Sequence, residues 1–112
     1  MLGPMRQAWI NSLRRSVAEF LSLTLHYAVA GFEDRTDAEY QRLTLLEQEV
    51  VLTVNPLEDD HRALIHEMRI LVGSLGGGVK MPDQNFIKSH KQVTCLAQRI
   101  LKQEWNRIRE GA

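Results

Sequence analysis

Leu52-Thr-Val-Asn-Pro-Leu-Glu-Asp-Asp-His61 is where one helix has to end and another has to begin. Proline lacks an N–H and its ring clashes with the preceding turn, so Pro56 cannot lie inside a helix. It suits the first helical position after an N-cap, and Asn55 is a residue type that caps well. Glu58 then falls at the third helical position, from which its carboxylate can reach back to the Asn55 N–H in a capping box. Asp59 and Asp60 add negative charge where the helix dipole is positive. This reading starts a helix at Asn55, gives Asn55, Pro56 and Glu58 structural roles, and lets the remaining chain be read outward.

Downstream, Leu57, His61, Leu64, Ile65, Met68, Leu71 and Val72 recur at helical spacing, and Gly73 is a natural stop. Upstream, Thr36-Asp-Ala-Glu39 is a second capping box, opening a helix that runs through Leu43, Leu46 and Val50 to about Thr53. Val50-Val-Leu-Thr-Val54 has strand-like composition, but the helical register before it leaves it as a helix end. An earlier stripe, Trp9, Leu13, Val17, Phe20, Leu21, Thr24 and Ala28, predicts a first helix ending near Gly31. Ile10, Leu23, Leu25 and Val29 widen that stripe, which predicts a central, most buried helix. A last helix from about Asp83 to Arg109 carries Phe86, Ile87, His90, Val93, Leu96, Ala97, Ile100, Leu101, Trp105 and Ile108, with Gly111 as its exit. The predicted fold is all-α: one four-helix antiparallel bundle across residues 1–112, with two long helices (first and last) and two shorter ones. The long pair should overhang the short pair and bring Trp9 near Trp105.

The segment 73–82 includes Gly76–Gly78 but lacks the Lys-Ser/Thr and preceding strand of a phosphate-binding loop, so it reads as a flexible linker. Met1-Leu-Gly-Pro-Met5 reads as a cloning scar ahead of a second methionine. The composition, 44% apolar and 25% charged, is that of an ordinary globular domain. The single cysteine, Cys95, allows no internal disulfide, and its neighbours Val93, Leu96 and Ala97 suggest a buried, inert thiol. No stretch approaches the roughly 20 apolar residues needed to cross a bilayer. Net charge is zero, yet Glu33–Glu67 holds ten acidic and three basic residues, whereas Lys80–Arg109 holds seven basic and two acidic ones. Such matched asymmetry predicts an acidic helix packed beside a basic one rather than a nucleic-acid surface.

The candidate chemistry is sparse. Glu58 lies one turn before His61, and Glu-x-x-His is half of a di-iron carboxylate pattern, but no second such motif exists. His61 and His90 both sit on apolar stripes, where a hydrogen-bonded core histidine is the expected state. Asn11, Arg14 and Glu19 flank the first stripe, and Arg14 is positioned in sequence to clamp the acidic start of the third helix at Glu58 or Asp60. Arg14, Glu58, His61 and His90 are therefore either a polar clamp or, in the alternative, a small-ligand or metal site. No catalytic constellation is recognisable, and no cofactor or metal is expected.

The stretch Arg6-Gln-Ala-Trp-Ile-Asn-Ser-Leu-Arg14, followed by Ala18-Glu-Phe-Leu21, resembles a group of uncharacterised bacterial proteins. In these a Trp-Ile-Asn-x-Leu-Arg segment follows an N-terminal membrane helix, and a later element like Leu52–His61 recurs. The resemblance implies a cytosolic helical domain held at the inner membrane by an upstream segment. The expectation is a non-enzymatic interaction or oligomerisation module, with a homo-oligomer or another protein as partner and nucleic acid disfavoured.

Overall fold

The computed structural model describes residues 3–30, 34–76 and 82–111, and these form four α-helices joined in sequence. They are α1 (Gly3–Val29), α2 (Asp37–Thr53), α3 (Asp59–Ser74) and α4 (Gln84–Arg109), so the long–short–short–long plan expected from the periodicities holds. Each helix packs against its chain neighbours, and α4 closes the bundle against α1. No helix is central, contrary to the expectation for α1. Leu25 and Val29, which widened its stripe, are exposed, because only one face of α1 meets α2 and α4.

Two helix starts follow from local chemistry. Thr36 accepts a hydrogen bond from the Glu39 N–H at 3.2 Å, while Glu39 accepts one from the Thr36 N–H at 3.2 Å, completing the capping box of α2. Asp83 caps α4 by accepting from the Phe86 N–H at 2.8 Å. α4 leaves through Gly111, whose φ of 75° lies in the left-handed region that glycine adopts without a Cβ penalty.

The start of α3 differs from the expectation. Asn55 is not its N-cap; the helix begins three residues later, with Glu58 at the cap position and no side-chain cap. Asn55 to Glu58 instead form a turn in which the Glu58 N–H donates to the Asn55 carbonyl at 3.1 Å and the Leu57 N–H donates to Asn55 Oδ1 at 3.0 Å. Proline's fixed φ suits the second position of a turn as well as the first position of a helix, so Pro56 is compatible with both. The tertiary partners of Glu58 and of the Asn55 N–H, described below, remove the capping box. Leu57, placed on the buried stripe by the sequence, is exposed as a result.

One buried cluster, including Phe20, Leu43, Leu46, Leu64, Met68, Phe86, Val93 and Ile100, runs through the bundle. Ile87 and Trp105 lie outside it, half exposed on the margin of the α4 stripe. Cys95 is exposed, not buried, because the α4 residues turned inward are Val93, Leu96, Ala97 and Ile100. α3 reaches Ser74 and so takes the first two residues of the expected 73–82 linker; 77–81, with most of the glycine run, and Gly31 lie outside the described residues. Gly3 to Met5, read as a scar, belong to α1. At the end where α1 finishes, Arg35 donates to the Tyr27 carbonyl at 2.8 Å and the Leu75 carbonyl at 3.0 Å, tying α1 to α3.

Candidate functional site

The opposite end of the bundle gathers the start of α1, the α2–α3 turn, the start of α3 and the end of α4. Trp9 and the Leu52–His61 stretch meet there. Trp9 stacks on His61 with ring centroids 6.1 Å apart, and its indole N–H donates to the Thr53 carbonyl at 2.9 Å. His61 is 2% exposed, as expected of a core histidine. Its Nδ1 accepts a hydrogen bond from the Asn55 backbone N–H at 2.8 Å. A neutral imidazole offers one lone pair, so this bond leaves the ring proton on Nε2. Nε2 is buried 2.9 Å from Glu58 Oε2, close enough for a charge contact, but the carboxylate lies off the ring's hydrogen-bonding direction.

Charges from three directions complete the cluster. Arg107 donates to Glu58 Oε1 at 2.8 Å and also to Glu104, while Arg6 of α1 donates to Glu104 Oε2 at 2.8 Å. Glu104 is buried and Glu58 half-buried. The hydrogen bond from Arg107 holds the Glu58 carboxyl below the usual glutamate value against the opposing cost of burial, and the Arg107 charge acts in the same direction. Around this network an open cleft of about 520 Å³ is lined by Arg6, Trp9, Asn55 and Arg107 among others.

A ring nitrogen of His61 and one carboxylate oxygen from each of Glu58 and Glu104 lie within 4.8 Å of one another. Such a set invites a cation, but here two guanidiniums already balance the two carboxylates, and the ring nitrogen facing them carries its proton. For Nε2 to ligate a dication its proton would have to shift to Nδ1, which would break the bond from Asn55. The carboxylates and guanidiniums form a charge-balanced ionic clamp, with the buried His61 Nε2 left without a hydrogen-bond partner.

The candidate residues divide accordingly. Asn55, Glu58 and His61 come together, and Pro56 shapes their turn. Arg14 does not join them: it is exposed and within reach of Asn11 Oδ1 on its own helix at 3.4 Å. Asp60, its supposed partner, is taken by Arg99 at 3.0 Å, and Glu58 by Arg107, because the basic α4 packs directly on the acidic α3. Glu19 finds Arg42 on α2 at 2.7 Å. His90 lies 14 residues before Glu104 on α4, about 21 Å along the axis at ~1.5 Å per residue, beside Phe86 and 3.0 Å from the Leu21 carbonyl. No Trp9–Trp105 ring contact occurs among the described residues. Arg6, Glu104 and Arg107 were not anticipated. Glu104 had a legible signal, a carboxylate four residues after Ile100 and four before Ile108, on the inward register.

Compared with protein-family models, with curated proteins and with solved structures, the chain matches none.

The depressed Glu58 carboxyl carries a pH prediction. A carboxyl held low in the folded state contributes stability that is fully present above its unfolded value, about 4.3, and lost as pH falls through the folded value. The part of the stability difference between the wild-type chain and Glu58→Gln that the Glu58 charge supplies should therefore close progressively as pH falls below about 4. Thermal melts of both proteins across that range measure it. A gap that does not change with pH would show that Glu58 acts through packing alone.

Proposed function

We propose that this chain is a non-enzymatic interaction and oligomerisation module whose contact surface is the clamped end of the bundle. The observation that carries this reading is where the three most exposed large apolar side chains lie. Leu57 (85% exposed), Leu52 (83%) and Met5 (72%) all occur at that end, on the α2–α3 turn, in the last turn of α2 and at the start of α1, with half-exposed Trp105 near the end of α4. Large apolar residues gathered around a rigid polar centre are the composition of a contact site rather than of a solvated surface. The clamp supplies the rigidity, since it ties α1, the turn, α3 and α4 together beneath the surface. A second copy of the chain is the partner, meeting the first through the start of the first helix, the end of the last and the turn between the middle two.

Among the described residues no helix is long and apolar enough to cross a membrane. The resemblance of the Trp9–Arg14 and Leu52–His61 stretches supports a place at the cytosolic face of a bacterial inner membrane, with an upstream segment as the anchor.

Light scattering at ~100 μM, well above the micromolar range of a modest interface, should give a mass above that of the monomer. Leu52→Asp combined with Leu57→Asp should return the protein to a monomer without loss of helicity. A monomeric wild type at that concentration would overturn the reading, as would association that survives the double substitution. Stoichiometric metal in protein purified without a histidine tag would overturn it in favour of a ligand-binding bundle.

A further inference from the structure

We propose that His61 is a proton-operated latch on the α2–α3 turn, releasing the Asn55 backbone when the ring becomes charged. The inference stands on the direction of one hydrogen bond. The Asn55 N–H donates to His61 Nδ1 at 2.8 Å, and this requires a lone pair on that nitrogen. An imidazolium has a proton on both nitrogens and accepts nothing. When a proton from solvent takes the Nδ1 lone pair, a new N–H bond forms there, two donors face each other, and the hydrogen bond from Asn55 breaks.

The surroundings make this a switch for the turn rather than a local adjustment. His61 is buried against Trp9, whose indole holds the Thr53 carbonyl two residues before Asn55. The ring therefore cannot move away from Asn55 without disturbing the indole stacked on it. The groups facing it are Glu58 from the turn, Arg6 from α1, and Glu104 and Arg107 from α4, two carboxylates against two guanidiniums. Arg62, His66 and Arg69 line a second cleft that His61 also borders. A charged His61 adds a third cation to a balanced cluster. Its available counter-charge is Glu58 Oε2 at 2.9 Å, whose other oxygen Arg107 already holds. Protonation thus exchanges a bond to the turn backbone for a stronger attraction to Glu58, and the Asn55 N–H is given up to water. Leu52 and Leu57 flank the released residue. Resting on the contact-surface reading above, the latch makes association at this end weaken as pH falls.

Amide hydrogen exchange on the full chain, followed by NMR between about pH 8 and pH 5, where histidine is the side chain that ordinarily changes charge, tests it directly. The Asn55 protection factor, corrected for intrinsic exchange, should fall about tenfold or more, the scale of one lost hydrogen bond. The core amide of Leu96 should keep its protection. In His61→Asn, whose side-chain oxygen can accept from Asn55 but does not titrate, Asn55 protection should not vary with pH. Should that variant fail to fold, Glu58→Gln serves instead: it removes the counter-charge of the imidazolium and should move the release to lower pH. Constant Asn55 protection in the wild type would overturn the latch, as would equal loss in His61→Asn or an unmoved release in Glu58→Gln. Loss of protection with self-association unchanged by pH would keep the latch and overturn its coupling to association at this end, whereas a monomeric wild type overturns the contact-surface reading.

Discussion

Replacing Phe20 with alanine should lower the stability of this bundle by about 3–5 kcal/mol, the range for emptying a core aromatic site. Phe20 has no exposed surface and is one of the largest fully buried side chains of the molecule. It sits near the middle of α1, where the helix faces both of its neighbours, so the cavity cannot close by the movement of a free end. For a chain of this size the loss corresponds to a fall in melting temperature of about 12 °C or more. Urea denaturation of the two proteins measures it. A loss under about 1 kcal/mol would mean that α1 does not pack at Phe20 as described, since no well-packed site tolerates that truncation so cheaply.

Glu104→Ala should cost about 2–3 kcal/mol, the scale for removing hydrogen bonds to a buried charge. Glu104 accepts from Arg6 across the α1–α4 interface and from Arg107 one turn along its own helix. Without it, two guanidiniums keep one carboxylate, Glu58, between them. Fully buried pairs lose more when broken, but Arg6 and Arg107 are partly exposed and can turn toward water, which limits the cost. Glu104→Gln, which keeps the shape and one acceptor oxygen, should lose less. A double-mutant cycle with Arg6→Ala isolates the contact between helices. Coupling near zero would show that Glu104 is held by packing and that the clamp contributes nothing to joining α1 to α4.

Much of the fold was legible because its determinants are local. The Thr36–Glu39 capping box and the Asp83 cap satisfy backbone donors within three residues of themselves, so no distant part of the chain could change their outcome. The stripes of the four helices named most of the core for the same reason, since helical spacing alone decides which residues share a face. Even the match of an acidic and a basic segment translated into packing, with Asp60–Arg99 and Glu58–Arg107 joining α3 to α4. The failures occur where a residue had two local solutions. Pro56 suits a helix start and a turn equally, and Leu25 and Val29 could extend a stripe without any neighbour being present to cover them.

The candidate site was half legible. Asn55, Glu58 and His61 stood out because they lie within seven residues of one another, and the sequence correctly put them in one place. Which residues would meet them was not legible, since Arg6, Trp9, Glu104 and Arg107 are distant in sequence and the bonds of the cluster span up to 98 positions. Arg14 was assigned the role that Arg107 fills, because charge can suggest that an acidic helix start needs a cation but not which helix supplies it.

By itself, then, the sequence determined the four helices, most of their ends and most of their buried faces, all of which depend on groups within about one turn of each other. Only the tertiary structure decided how α3 begins. The reciprocal bond of an Asn55–Glu58 capping box needs the Glu58 carboxylate on the Asn55 N–H, but Arg107, 49 positions away, holds that carboxylate and His61 takes the N–H. A backbone donor and a carboxylate each go to the partner that reaches them under burial, and that is settled by which helices pack together.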